Sequence, residues 1–105
     1  MDRTELQKVR PFLRRVTHLM PDARFILFGS RSRGTARPDS DFDLLVISDS
    51  FSNLGFYERH VQVYSLMDGK ASVDAICLTP AELEARSSEL STVGIAARRG
   101  VPIEP

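Results

Sequence analysis

Three aspartates and a glycine-serine turn are the residues of this sequence whose types and spacing fit a reaction. Gly29-Ser30 is followed, after ten intervening residues, by Asp41-Phe42-Asp43, and Asp74 stands in a later apolar run. Residues two apart on a strand point to the same face, so Asp41 and Asp43 project together from the start of the apolar run Leu44 to Ile47. Their hard oxygen atoms suit Mg²⁺. Gly29 closes the apolar run Phe25-Ile26-Leu27-Phe28 and lacks the side chain that would hold a phosphate away from the backbone. The N–H groups after Gly29, the Ser30 hydroxyl and a short helix N-terminus at Arg31 to Arg33 offer donors to phosphate oxygens. Arg33 or Arg31 adds charge-assisted bonds. Divalent cations beside such a turn neutralise a triphosphate and activate an attacking hydroxyl. The set therefore points to metal-assisted nucleotidyl transfer from a nucleoside triphosphate.

Those residues need a scaffold that brings them together. Leu6, Val9, Leu13, Val16 and Met20 recur at three- and four-residue steps, which predicts a first helix with a capping box at Thr4-Glu5-Leu6-Gln7. Pro11 lies inside it and is expected to kink or restart it. Phe25 to Phe28 predict strand one, covered on both faces, and Gly34 ends the short helix after it. Asp43 to Ile47 predict strand two, and Ser48 to Gly55 a polar loop. Phe56, His60, Val63 and Met67 form a helical stripe that stops at Asp68-Gly69. Val73 to Leu78 predict strand three, with Asp74 on one face beside Ile76 and Leu78. Thr79-Pro80-Ala81-Glu82 opens a helix that runs through Leu83 and Leu90. A final helical stretch ends at Gly100. Strands two and three are joined by a helical crossover, the connection that parallel neighbours require, and parallel pairing would bring all three acids to one edge. An antiparallel strand one delivers Gly29 and Ser30 to the same edge.

Composition removes other classes. With 105 residues the chain reads as one compact α/β domain spanning 1–105, without room for a second lobe. The formal net charge is zero, so the field that drives general nucleic-acid binding is missing. The single Cys77 has no partner at zinc spacing and reads as a small core residue. No signal core or membrane-length apolar run is present, so the protein is read as soluble and cytoplasmic. His18 and His60 read as structural. Phe12, Phe56, Tyr57 and Tyr64 read as core or interface, Tyr57 as a partner contact. Arg31, Arg33 and Arg37 read as surface charges, with Arg33 excepted because it falls in the stretch that carries the Gly29-Ser30 turn.

The stretch Gly29-Ser30-Arg31-Ser32-Arg33-Gly34 through Ser40-Asp41-Phe42-Asp43-Leu44 resembles the signature of the DNA polymerase β-like nucleotidyltransferase superfamily. The short single domain is similar to its minimal nucleotidyltransferase branch, and Val73-Asp74-Ala75-Ile76 resembles that branch's third acidic strand. Ser32 stands where many members have alanine. The resemblance implies an α/β (α+β) nucleotidyltransferase fold, a small mixed β-sheet with flanking helices in the order α-β-α-β-α-β-α. It implies that Asp41 and Asp43 bind two Mg²⁺ ions and that Asp74 completes one metal site and acts as base. Gly29 and Ser30, with Arg33, hold the triphosphate of ATP. The branch's members resemble antitoxins paired with a HEPN-type toxin, some of which transfer AMP to a tyrosine of that partner. A reaction edge on so small a domain fits a protein acceptor. The alternatives are an antitoxin that acts by binding alone, and a small-molecule nucleotidyltransferase of the aminoglycoside type, which needs a further domain or a dimer cleft.

Overall fold

A central sheet of four strands, in the order β3-β2-β1-β4, sets the position of every candidate site residue. The computed structural model describes residues 3–34 and 41–105, the side chains of residues 3 and 4 excepted. The Thr4 side chain, on which the expected capping box rests, and Arg37 and Ser40 lie outside the described residues.

Helix α1 spans Arg3–Leu19 and strand β1 Arg24–Phe28, followed by the short helix α2 at Ser30–Arg33 and strand β2 at Phe42–Ile47. A 3-10 turn at Asp49–Asn53 leads to α3 at Phe56–Tyr64, β3 at Val73–Leu78, α4 at Pro80–Arg86, α5 at Thr92–Arg99 and β4 at Val101–Ile103. Strand β1 runs antiparallel to both β2 and β4, and β2 runs parallel to β3 across the α3 crossover. The sheet is therefore mixed, with helices on both faces.

Strand parity divides the core in two. Phe25, Leu27, Phe42, Leu44, Val46, Val73, Ala75 and Cys77 face Val9, Phe12, Leu13 and Val16 of α1 and Val63 of α3. Leu45, Ile47 and Leu78 face Val93 and Ala96 of α5, with Ile26, Phe28, Ile76 and Leu83 packed at the margin. Burial of this kind stabilises each element more than its local propensity does. Pro11 shows the balance. An interior proline costs about 3 kcal/mol, yet α1 continues through it without restarting, because Val9, Phe12, Leu13 and Val16 on either side are all buried.

Four expectations need correction. The α3 stripe does not face the core at its start: Phe56 is 72% exposed, and the helix ends at Tyr64, with Met67 packing from the turn beyond. The helix from Pro80 stops at Arg86 and leaves Leu90 in solvent. Ser91 then caps α5 by accepting the Gly94 N–H at 3.2 Å. The Ser48–Gly55 loop contains a 3-10 turn that buries Phe51. Finally, Val101–Ile103 is a fourth strand. Pro102 disguises it, but an outermost strand tolerates a residue without an N–H donor.

The capping box at α4 is present in full. Thr79 Oγ1 accepts the Glu82 N–H at 3.1 Å and Glu82 Oε1 accepts the Thr79 N–H at 2.8 Å. Arg59 of α3 donates to Glu82 at 2.6 Å and to the Cys77 carbonyl at 3.3 Å, tying the crossover helix to the end of β3. Among the described residues, no helix is long and apolar enough to cross a membrane.

Candidate active site

The acids assemble at one end of the sheet through register alone. Asp43 pairs with Asp74 across the parallel β2–β3 ladder and with Phe28 across the antiparallel β1–β2 ladder. A single row, Asp74, Asp43, Phe28, thus crosses three strands spaced about 4.8 Å apart. Leu45, Ile47, Ile76 and Leu78 continue the same face into the α4/α5 core. Asp41 precedes β2 by one residue, and its carboxylate accepts a hydrogen bond from Ser72 Oγ. The neighbouring backbone is fixed as well, since Phe42 N–H donates to the Ser72 carbonyl at 2.8 Å.

Gly29 turns the chain out of β1 with φ 73° and ψ −156°, a region open almost only to glycine. It also admits the Asp43 carboxylate. A Cβ at Gly29 would lie inside van der Waals contact with Asp43 Oδ2 and 3.2 Å from its Cγ. The Gly29 turn and the Asp43 carboxylate are therefore immediate neighbours, with no room for a side chain between them. Ser30 begins α2 and Gly34 ends it, donating its N–H to the Arg31 carbonyl at 3.4 Å. Ser32 Oγ donates back to the Gly29 carbonyl at 2.8 Å, so the serine at this family position braces the turn.

Charge distinguishes the two arginines of the turn. Arg31 is 3% exposed, pairs with Glu5 at 3.1 Å and lies 4.3 Å from the centroid of the Phe42 ring. It joins α1 to the sheet and is not the surface charge expected from its polar surroundings. Arg33 is exposed and acts electrostatically on Asp43. Burial raises the Asp43 carboxyl above its ordinary pKa, the Asp74 and Asp41 charges raise it further, and Arg33 opposes them. The Cys77 thiol is pushed up to about 12 by burial, which makes it an inert core group.

The site was also tested for its fit to divalent cations. The donors are hard oxygens, and crowding of negative charge at Asp43 is what a cation would relieve. Among the described residues, however, no three acidic, His or Cys side chains stand close enough to form a ready metal cluster. Asp41 accepts a hydrogen bond from Ser72 and Asp74 one from Tyr64, while both charges still act on Asp43. The donor chemistry fits a Mg²⁺ site: each of these carboxylates uses one oxygen in the hydrogen bond and keeps the other for a cation.

Tyr64 is the residue that sequence spacing did not reveal. At the end of α3 its hydroxyl donates to Asp74 Oδ1 at 3.3 Å and accepts the Ala75 N–H at 2.8 Å. The His60 ring stacks on it with centroids 5.3 Å apart. No motif links a helix tyrosine to an acid ten residues later through an irregular turn. Tyr64→Phe is expected to cost about 1 kcal/mol, measured by denaturant unfolding, because Ala75 N–H loses its acceptor. Beside the row of acids lies a cleft of about 400 Å³ between the Gly29 turn and α5, lined by Phe28, Gly29, Arg33, Ile95, Ala96 and Arg99 among others.

A family profile described as nucleotidyltransferase domain matches residues 7–94. This chain belongs to that family. The matched span takes in the described parts of the β1–α2 turn, the row Asp74–Asp43–Phe28 and the start of α5. Among solved structures, the nucleotidyltransferase resembles a crystal structure from Sulfolobus solfataricus described as a "putative nucleotidyltransferase". The TM-score is 0.64 with 26% identity over 76% of this chain and 71% of the other. No curated protein matches the sequence. Nucleotidyl transfer is thus supported by family and by fold.

Proposed function

We propose that this nucleotidyltransferase uses Mg²⁺ and ATP to transfer AMP to a protein, and that it acts in the cytoplasm as the antitoxin of a HEPN-type toxin, in the manner of the minimal nucleotidyltransferases. The observation that carries the reading is the row in which Asp74, Asp43 and the Gly29 turn follow one another across the sheet end. Asp41, Asp43 and Asp74 would hold the metal, which when bound neutralises the triphosphate and stabilises charge at its α-phosphorus. Gly29, Ser30 and Arg33 receive the phosphates on the β1 side of Asp43. Asp74 lies on the opposite side, on an exposed position of the outermost strand, where an acceptor hydroxyl arrives from outside the domain. That oxygen bonds to the α-phosphorus while the bond from phosphorus to the bridging oxygen breaks. Pyrophosphate leaves, and Asp74 takes the hydroxyl proton.

A protein acceptor is in keeping with an exposed apolar surface on α3, about 10 Å along the helix from the Tyr64 that bonds Asp74. Helix α3, whose last residue bonds Asp74, exposes Phe56 by 72%, Tyr57 by 76% and Val61 by 51%. Tyr57 and Val61 are four residues apart and share a helix face, an apolar surface suited to a protein partner. The test is to combine the purified chain, Mg-ATP and the HEPN protein encoded beside it, and to weigh the partner intact. Gain of one or more AMP units is the expected result. A partner that binds and is neutralised without gaining mass would sink the acceptor assignment and favour inhibition by occlusion.

A further inference from the structure

We infer that the cleft between the Gly29 turn and α5 receives the base and ribose of the nucleoside triphosphate, with Ile95 and Phe28 as its apolar walls. The inference rests on the nucleotidyl-transfer reading and adds where the donor's nucleoside lies. Its position argues first. Phe28 is the partner of Asp43 in the β1–β2 ladder, so the cleft begins one strand beyond the carboxylate and shares Gly29 with the proposed phosphate turn. A ligand with its phosphates on that turn can extend into the cleft, which adjoins it at Gly29, Ser32 and Arg33.

The lining argues second. Phe28, Ile95 and Ala96 present apolar surface, Arg33 and Arg99 stand among them, and among the described residues no acidic one lines the cleft. Phosphate oxygens gain nothing from an apolar wall, whereas a planar base does, and guanidinium groups both stack on aromatic rings and pair with phosphates. Thr92 adds a hydroxyl. The volume of about 400 Å³ falls within the range of roughly 300–1,000 Å³ usual for small-ligand sites.

The wall is also fixed. Gly100, at the end of α5, packs so closely on β1 that a Cβ there would meet Ile26 Cγ2 and stand 3.0 Å from the Leu27 carbonyl oxygen. Its N–H donates to the Ala96 carbonyl at 2.8 Å. Val93 and Ala96 anchor the inner side of the helix in the core, while Ile95 remains 46% exposed. Ile95 thus offers the cleft an apolar surface on a fixed wall that also carries Arg99.

The experiment compares the binding of ATP, GTP, CTP, UTP and inorganic tripolyphosphate, each with Mg²⁺, to the wild-type chain and to Ile95→Trp by calorimetry. Ile95 lies outside the buried core, and a melting curve checks that the variant is folded. The bulkier ring fills the cleft, so affinity for the preferred nucleotide is expected to fall at least tenfold while affinity for tripolyphosphate stays within twofold. Arg99→Ala is expected to weaken the nucleotide more than tripolyphosphate as well. Unchanged nucleotide affinity in both variants overturns the assignment of the cleft. Equal loss of nucleotide and tripolyphosphate also overturns it, since the cleft would then hold phosphates. A wild-type chain that binds neither probe overturns the donor-site reading itself, a failure distinct from the other two.

Discussion

Replacing Asp43 by asparagine is expected to cut nucleotidyl transfer by at least about 10²-fold, the scale for losing one preorganised electrostatic group in a transfer site, and at the same time to raise the melting temperature. The two effects have one cause. Burial and the charges of Asp74 and Asp41 hold the Asp43 carboxyl above its ordinary pKa, so its ionised form is disfavoured in the folded chain. Between the ordinary carboxyl pKa and the raised one, the folded state binds more protons than the unfolded state, and stability falls as pH rises through that window. Above the raised value the full penalty persists. Asp43→Asn removes the charge and keeps the shape, so without divalent cations the variant should melt higher than wild type at neutral pH. It should also lack the part of the pH dependence due to Asp43. Adding Mg²⁺ should stabilise the wild type and close the gap. Thermal melts across pH, with and without Mg²⁺, check this, and a variant less stable than wild type at neutral pH would refute it.

The second large effect belongs to Gly29. Alanine there must adopt φ 73° with ψ −156° and place a Cβ against Asp43 Oδ2. Backbone strain alone costs about 1–3 kcal/mol, and the clash adds to it. With roughly 4–8 °C per kcal/mol for domains near this size, Gly29→Ala is expected to lower the melting temperature by about 10 °C or more. Transfer should be lost because Asp43 is displaced. A double-mutant cycle separates the contributions. In an Asp43→Ala background the clash is gone while the strain remains, so the same glycine substitution should cost less, with a coupling energy of about 1 kcal/mol or more. Additive costs would show that the turn and the carboxylate do not compete for space.

The chain's alternations made much of this arrangement legible before any coordinates. A period of two fixes which strand residues share a face, and a helical crossover is the connection that parallel neighbours need. Pattern could thus bring Asp43 and Asp74 to one edge of the sheet, while the register that pairs them comes from the ladder itself. The Gly29 bend and the Thr79 capping box were likewise local signals. What escaped reading depends on contacts between distant segments. Arg31 sits in a polar run, and only the Phe42 ring and Glu5 show that it is buried. Phe56 keeps helical phase with Val63 but is exposed, because it stands in the first turn of α3, outside the residues that pack in the core. Periodicity does not show how far along a helix the core extends. Pro102 argues against a strand until its position at the sheet edge is known. Tyr64 reaches Asp74 through an irregular turn, whose path no short-range rule encodes.

The Tyr64 hydroxyl has a consequence beyond Asp74. β3 is an outermost strand of the sheet, and the backbone donors along such a rim are templates on which another chain can add itself as a strand. Tyr64 occupies the Ala75 donor with a side chain, at the position where an incoming strand would begin its ladder beside the acids. A visiting protein is thereby denied main-chain pairing at this end of the sheet. Under the proposed transfer to a protein, the acceptor hydroxyl would reach Asp74 through side-chain contacts and not by adding a strand at this point. The plug at the rim turns an adhesive edge into a selective doorway.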